Sequence, residues 1–232
     1  MKQTAKTFEI REILPKIFVL TFGRKYELCM TFVRIQEFYE SPVFRNRYFD
    51  LETFIDYWSA KFGNGSFTYP SVWNGFNLPG KIIEKWVSVV SEHRDLRQRE
   101  AILLKDIEQE CEERGYDLSD IYVIGVHKEQ SEERIADVIN HEVAHALYTL
   151  YPKYKRSCNK LLRGLPDIIA TKAQGKLKVM GYGKNVFRDE MQAYFSTETM
   201  NESDAFSAAL AGRQEFSDNL ASFKETLRPD PS

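Results

Sequence analysis

The chain has 232 residues, 43% hydrophobic and 13% aromatic, with 32 Lys and Arg against 34 Asp and Glu. That is enough apolar material for a packed core, which excludes general disorder, and a net charge of −2 gives no electrostatic case for nucleic acid or an anionic membrane as the main partner. Cys29, Cys111 and Cys158 form no close-spaced pair, so neither a disulfide scaffold nor a thiolate zinc knuckle is expected, and a reducing compartment fits.

Residues 16–22 and 26–33 are rich in β-branched and aromatic side chains and read as paired strands around Gly23-Arg24-Lys25. The second run also fits a helix continuing through Glu40. Residues 49–62 have helical spacing, with Leu51, Phe54, Ile55 and Trp58 on one face and Asp50 as N-cap. Glycine and proline punctuate residues 63–80. The interleaved Phe67, Tyr69, Trp73 and Phe76 are expected to pack onto a core, since aromatic surface is costly to leave in water. Residues 81–114 predict one long helix or two joined ones, densely charged on a solvated face and stopped at Gly115.

Residues 121–126 then read as a strand. A helix follows, with Ser131 as N-cap, acidic residues in its first turn and an end near Leu150, just before Pro152. The basic run Lys153-Tyr154-Lys155-Arg156 reads as solvated loop surface. Further helices are predicted over about 158–174, 186–200 and 202–226, with a Gly-flanked turn at Gly181-Tyr182-Gly183. No internal repeat is visible, and no apolar run approaches the roughly 20 residues a membrane helix needs. Residues 17–22 are too short and too far from the start for a signal peptide. The expectation is a soluble, cytoplasmic protein with no membrane partner.

The chemistry concentrates in His141-Glu142-Val143-Ala144-His145. Helical residues four apart lie one turn above each other, so both imidazoles can reach one metal ion. Zinc suits them, because it accepts neutral imidazole nitrogen at about 2.0–2.1 Å and tolerates an open coordination position. Glu142 flanks the same site and can take a proton from a water that the metal has acidified toward a pKa of about 7. Ala136, Ile139, Val143, Ala146, Leu147 and Leu150 form an apolar stripe expected to pack inward while the histidines face a cleft. The competing reading leaves two histidines on a helix surface and Glu142 in an ordinary salt bridge. His93 and His127 are read as non-ligands, His127 at the surface.

Val138-Ile139-Asn140-His141-Glu142-Val143-Ala144-His145-Ala146-Leu147 resembles the extended signature of the zincin metallopeptidases. The resemblance covers about residues 119–200. It implies an α+β, zincin-like fold: a helix-rich catalytic half with a small sheet over 81–232, preceded by a mixed α/β N-terminal module over 1–80. The two together can form one compact unit. In zincins a strand upstream of this helix commonly binds extended peptide along its edge. That makes residues 121–126 a candidate substrate-lining strand, with Ile124 and Val126 as contacts. No histidine follows His145, so the metzincin arrangement is excluded. The gluzincin arrangement uses a glutamate from a later helix, and Arg188-Asp189-Glu190-Met191-Gln192-Ala193-Tyr194-Phe195 is similar to that element.

By that resemblance His141, His145 and Glu190 hold Zn2+, with Asp189 and then Asp167 as alternative third ligands. Asp189 and Asp137 are candidates for orienting a ligand histidine. Tyr194, one turn beyond Glu190, and Tyr182 are candidates for stabilising an oxyanion, their plain alternative being core tyrosines. The implied function is zinc-dependent hydrolysis of a peptide or protein substrate, with Glu142 as general base. The alternative is a non-catalytic zincin-fold module that works through protein contacts.

Overall fold

A computed structural model describes residues 8–180, 182–184, 186–197 and 213–228. The chain divides into two compact units, Met1–Val138 and Ile139–Ser232. The expected division at residue 80 is thus displaced. Strand pairing explains why: residues 76–79 hydrogen-bond to residues 122–125, so a cut at 80 would split one sheet.

The first unit is α/β. Strands β1 (Phe8–Leu14), β2 (Ile17–Phe22), β3 (Phe76–Pro79) and β4 (Tyr122–His127) form one sheet in the order β1-β2-β4-β3. β1 and β2 are an antiparallel hairpin, β2 and β4 are parallel, and β3 and β4 are antiparallel. The parallel pair needs a long crossover. It is supplied by α1 (Lys25–Glu40), α2 (Leu51–Lys61), the short α3 (Tyr69–Val72), α4 (Gly80–Glu92) and α5 (Gln98–Arg114).

The ambiguous run after Gly23 is therefore helix, and β2 takes its antiparallel partner from upstream. Ten residues of α1 are buried, more than one stripe, because the helix lies within the core rather than at its rim. Its approach to the sheet is close at Gly125, where a Cβ would come within 2.7 Å of Leu28 Cδ1. Phe18, Leu20, Phe22 and Val123 join Leu28, Phe32, Phe54 and Trp86 in one apolar cluster. Asp50 caps α2 as expected, its carboxylate accepting from Thr53 N at 2.7 Å. Tyr69 and Phe76 are buried in the same core, as the packed reading required.

Residues 81–114 are two helices, broken where Arg94 takes a left-handed φ of 52°. Gly115 ends α5 at φ 67°. One charge on α5 departs from the solvated face: Glu100 is fully buried, 3.0 Å from the equally buried Arg34 Nε. Arg34 also bonds the Asp95 carboxylate and donates to its carbonyl oxygen at 2.8 Å.

α6 (Glu132–Leu150) begins in the first unit and ends in the second. Ser131 Oγ accepts from Arg134 N at 3.2 Å, the expected cap. The apolar stripe holds only in part. Val143, Ala146 and Leu147 are buried, Ala136 is exposed, and from residue 143 to 148 the helix is buried all round, His145 included.

The second unit continues with α7 (Pro152–Gly164), α8 (Asp167–Val179), α9 (Phe187–Thr197) and α10 (Arg213–Leu227). The single helix expected over 158–174 is two, because Pro152 starts a helix at its first turn and Leu165-Pro166 breaks it. The basic run at 153–156 is thus helix, not loop. The start of the helix expected over 202–226 lies outside the described residues. Ala173, Leu177, Met191, Phe195 and Phe216 form the apolar centre of this unit, drawn from α8, α9 and α10. Cys29, Cys111 and Cys158 are buried free thiols. Among the described residues no helix is long and apolar enough to cross a membrane.

Candidate metal centre

Two helices of the second unit build the site. α6 supplies His141, Glu142 and His145; α9 supplies Asp189, Glu190, Gln192, Tyr194 and Thr197. The i,i+4 spacing brings the two imidazoles together, Nε2 to Nε2 at 3.3 Å. Glu190 Oε2 lies 3.8 Å from His145 Nε2. One ligand atom from each of His141, His145 and Glu190 falls within 4.8 Å of the others. Tetrahedral geometry at a zinc–nitrogen distance of about 2.0–2.1 Å separates neighbouring ligand atoms by roughly 3.4 Å. The histidine pair already has that spacing, and Glu190 is within a side-chain adjustment of it.

The other ring nitrogens show what the inward ones can do. His145 Nδ1 lies 2.9 Å from Asp189 Oδ1, a carboxylate that only accepts. His141 Nδ1 lies 3.1 Å from Thr197 Oγ1. The Thr197 hydroxyl donates its own hydrogen to Ala193 O at 2.8 Å, so toward His141 it accepts. Both histidines can therefore donate from Nδ1, and in that neutral tautomer both direct an Nε2 lone pair at one point. Two lone pairs and a carboxylate converging in a buried place repel one another unless a positive charge joins them. This donor set fits a borderline cation such as zinc.

The local field agrees. Burial alone would push the His145 pKa down, but the Asp189 carboxylate on Nδ1, reinforced by Glu190 and Glu142, outweighs it and raises the pKa to about 10. A pKa raised this far favours a proton on His145 in the metal-free chain, beside His141 Nε2 at 3.3 Å. Glu142 is half-buried and close enough to contribute to that field.

Asp189 thus lies on the outer nitrogen of His145, and Glu190 belongs to the cluster that could hold a metal ion. Asp167 sits exposed at the start of α8, and Asp137 is exposed on α6. Tyr194 meets the His141 ring edge-on at 4.9 Å between centroids, and its hydroxyl lies 3.5 Å from that of Tyr182, so the two tyrosine candidates share one place.

Ile124 and Val126 do not line an accessible edge. Both are fully buried, and β4 pairs with β2 along its whole length and with β3 through residues 122–125. Along residues 122–125 the strand is bonded on both sides and cannot add an extended peptide there, and the Val126 side chain is enclosed. His127 is buried rather than at the surface, and His93 stacks on Tyr48 at 3.6 Å.

Two residues escaped the sequence reading. Thr197 is one. The other is Gln192, fully buried, whose amide donates to Ala144 O and to Asp189 Oδ1 at 3.1 Å each and accepts from Tyr154 OH at 3.1 Å. It ties α9 to α6 and α7 and holds Asp189 in place. The available signal was polar residues at helical spacing, Glu190, Tyr194 and Thr197, beside the apolar Met191 and Phe195. No family model matches the chain, and neither a curated relative nor a solved structure matches it.

Proposed function

We propose that this chain is a zinc-dependent hydrolase of the zincin type that cleaves peptide bonds, with His141, His145 and Glu190 as metal ligands and Glu142 as general base. One observation carries the reading: three acceptor atoms converge while both imidazole Nδ1 atoms are held by Asp189 and Thr197. Such outer hydrogen bonds fix tautomer and ring orientation and raise ligand basicity.

Zinc, when bound, supplies Lewis acidity and makes water acidic enough to ionise near neutral pH. His141 and His145 present neutral Nε2 atoms. Glu190 contributes one negative charge, so the set leaves net positive charge for polarising a carbonyl. Glu142, next in sequence to a ligand, accepts the proton from the attacking water at its carboxylate and returns it to the leaving amine nitrogen. The Tyr182–Tyr194 hydroxyl pair is the source of an O–H donor for the oxyanion. Retention of a carboxylate at 142 favours an enzyme over a non-catalytic zincin-fold module, which has no use for a base there.

The test is metal analysis of purified chain together with a Glu142→Gln variant. The expected result is close to one zinc per chain in both proteins, with peptide hydrolysis lowered on the order of 10²–10⁴-fold in the variant. Protein that takes up no zinc would discard the reading, and full activity in the variant would remove Glu142 as base.

A further inference from the structure

We infer that α7 and α8 form a docking surface for anionic lipid bilayers. The whole-chain charge of −2 conceals a segregation: these two consecutive helices carry Lys153, Lys155, Arg156, Lys160, Arg163, Lys172, Lys176 and Lys178 against a single acid, Asp167. Their placement is ordered. Lys153, Arg156, Lys160 and Arg163 recur at spacings of three, four and three, which is one face of a helix. All four are exposed, while Tyr154 and Cys158 turn inward from the opposite face. At 1.5 Å per residue the row is about 15 Å long. Lys172 and Lys178 are exposed on α8. Among the described residues no carboxylate pairs with Lys153, Arg156, Lys160, Arg163, Lys172 or Lys178. Eight like charges on two short helices repel one another, and a surface rich in negative charge relieves that repulsion.

The side chains between the cations select lipid over nucleic acid. Ile168 is 66% exposed, Val179 88% and Met180 48%. Ile168, Lys172 and Val179 fall on one face of α8, opposite the buried Ala173 and Leu177. Aliphatic side chains standing in water among lysines suit the headgroup–acyl boundary, where the apolar groups insert and the lysine stems reach back to the phosphates. Single-stranded nucleic acid would use exposed aromatic rings for stacking. The one aromatic residue on these helices, Tyr154, is in contrast fully buried, so they present no exposed ring. The docking is peripheral and involves none of the metal-site residues, so its failure leaves the hydrolase reading untouched.

The experiment is co-sedimentation of the purified full chain with vesicles of phosphatidylcholine alone and of phosphatidylcholine with about one-third phosphatidylserine. The expected result is binding to the anionic vesicles only, released by high salt as surface electrostatics are screened. At roughly fivefold per basic residue near an anionic surface, Lys153→Glu with Arg156→Glu and Lys160→Glu should weaken partitioning by about a hundredfold or more. Val179→Asp should weaken it as well, with circular dichroism showing folded protein in each case. Equal affinity for both vesicle types, no binding to either, or binding insensitive to salt overturns the proposal. So does binding to a DNA duplex that outcompetes the vesicles and ignores Val179→Asp, which would assign the face to nucleic acid.

Discussion

Each unit of this protein buries a polar cluster, and the two are built on opposite principles. In the first unit, Arg34 brings its own cation into the core, where the Glu100 and Asp95 carboxylates and the Asp95 carbonyl receive it. Tyr48 adds a hydroxyl to Asp95 at 3.0 Å. In the second unit the inward atoms of His141, His145 and Glu190 converge on one place, and the side chains behind the two imidazoles, Asp189 and Thr197, accept from them. The first cluster closes its charge balance from within the chain. The second gathers ligand atoms that a cation or a proton can join. Burial of charge alone therefore does not mark a site; the convergence of ligand-type atoms on one point does.

That contrast can be broken at several points. The largest expected effect is on metal: His145→Ala should lower zinc binding below detection in a chelator-competition titration, with circular dichroism reading a folded chain, because it removes one of the two imidazole ligands. Retained tight zinc binding would mean that the ligands lie elsewhere. Arg34→Ala should act in the other currency. It strands Glu100 in the core and should lower unfolding stability by about 3–5 kcal/mol, read by urea titration, without altering zinc stoichiometry. Asp189→Ala comes next, with zinc affinity expected to fall about 10–100-fold as His145 loses the acceptor on Nδ1. An unchanged affinity would make Asp189 a bystander.

The pH dependence sharpens the same point. The His145 pKa is raised from 6.5 to about 10, so the folded metal-free chain binds this proton more tightly than the unfolded chain. Its stabilisation is fully present below about 6.5 and lost as pH rises through about 10. Zinc must displace that proton, so its affinity should climb across the same window by up to about tenfold per pH unit. A flat profile would show that the inward nitrogen carries no proton. The smallest effect expected is at a plain structural position. Asp50→Ala removes the α2 cap for about 1 kcal/mol, and zinc binding should not change.

Much of the helical content was legible because its signals are local. Asp50, Ser131 and Gly115 act at helix ends through the chain's own backbone, and each does what its residue type predicts. The errors came where a neighbour distant in sequence decides. Residues 26–33 are β-branched and aromatic, yet they form helix because the sheet completes itself with residues 8–14 and 122–127. The β-branched run around Ile124 and Val126 marks a strand, but whether that strand offers a free edge depends on residues 76–79, which no local pattern assigns to it.

The sequence by itself determined that His141 and His145 share a helix face with Glu142 between them, because a period of 3.6 residues permits nothing else in a helix. It also determined that Glu190 and Tyr194 sit one turn apart. Tertiary structure alone decided that Glu190 joins the two imidazoles, that Asp189 and Thr197 take their outer nitrogens, and that Gln192 anchors Asp189 to α6. The physical reason is range: helical geometry is set by bonds four residues apart, whereas the protonation and direction of an imidazole are set by whatever acceptor packing brings to it from some fifty residues away.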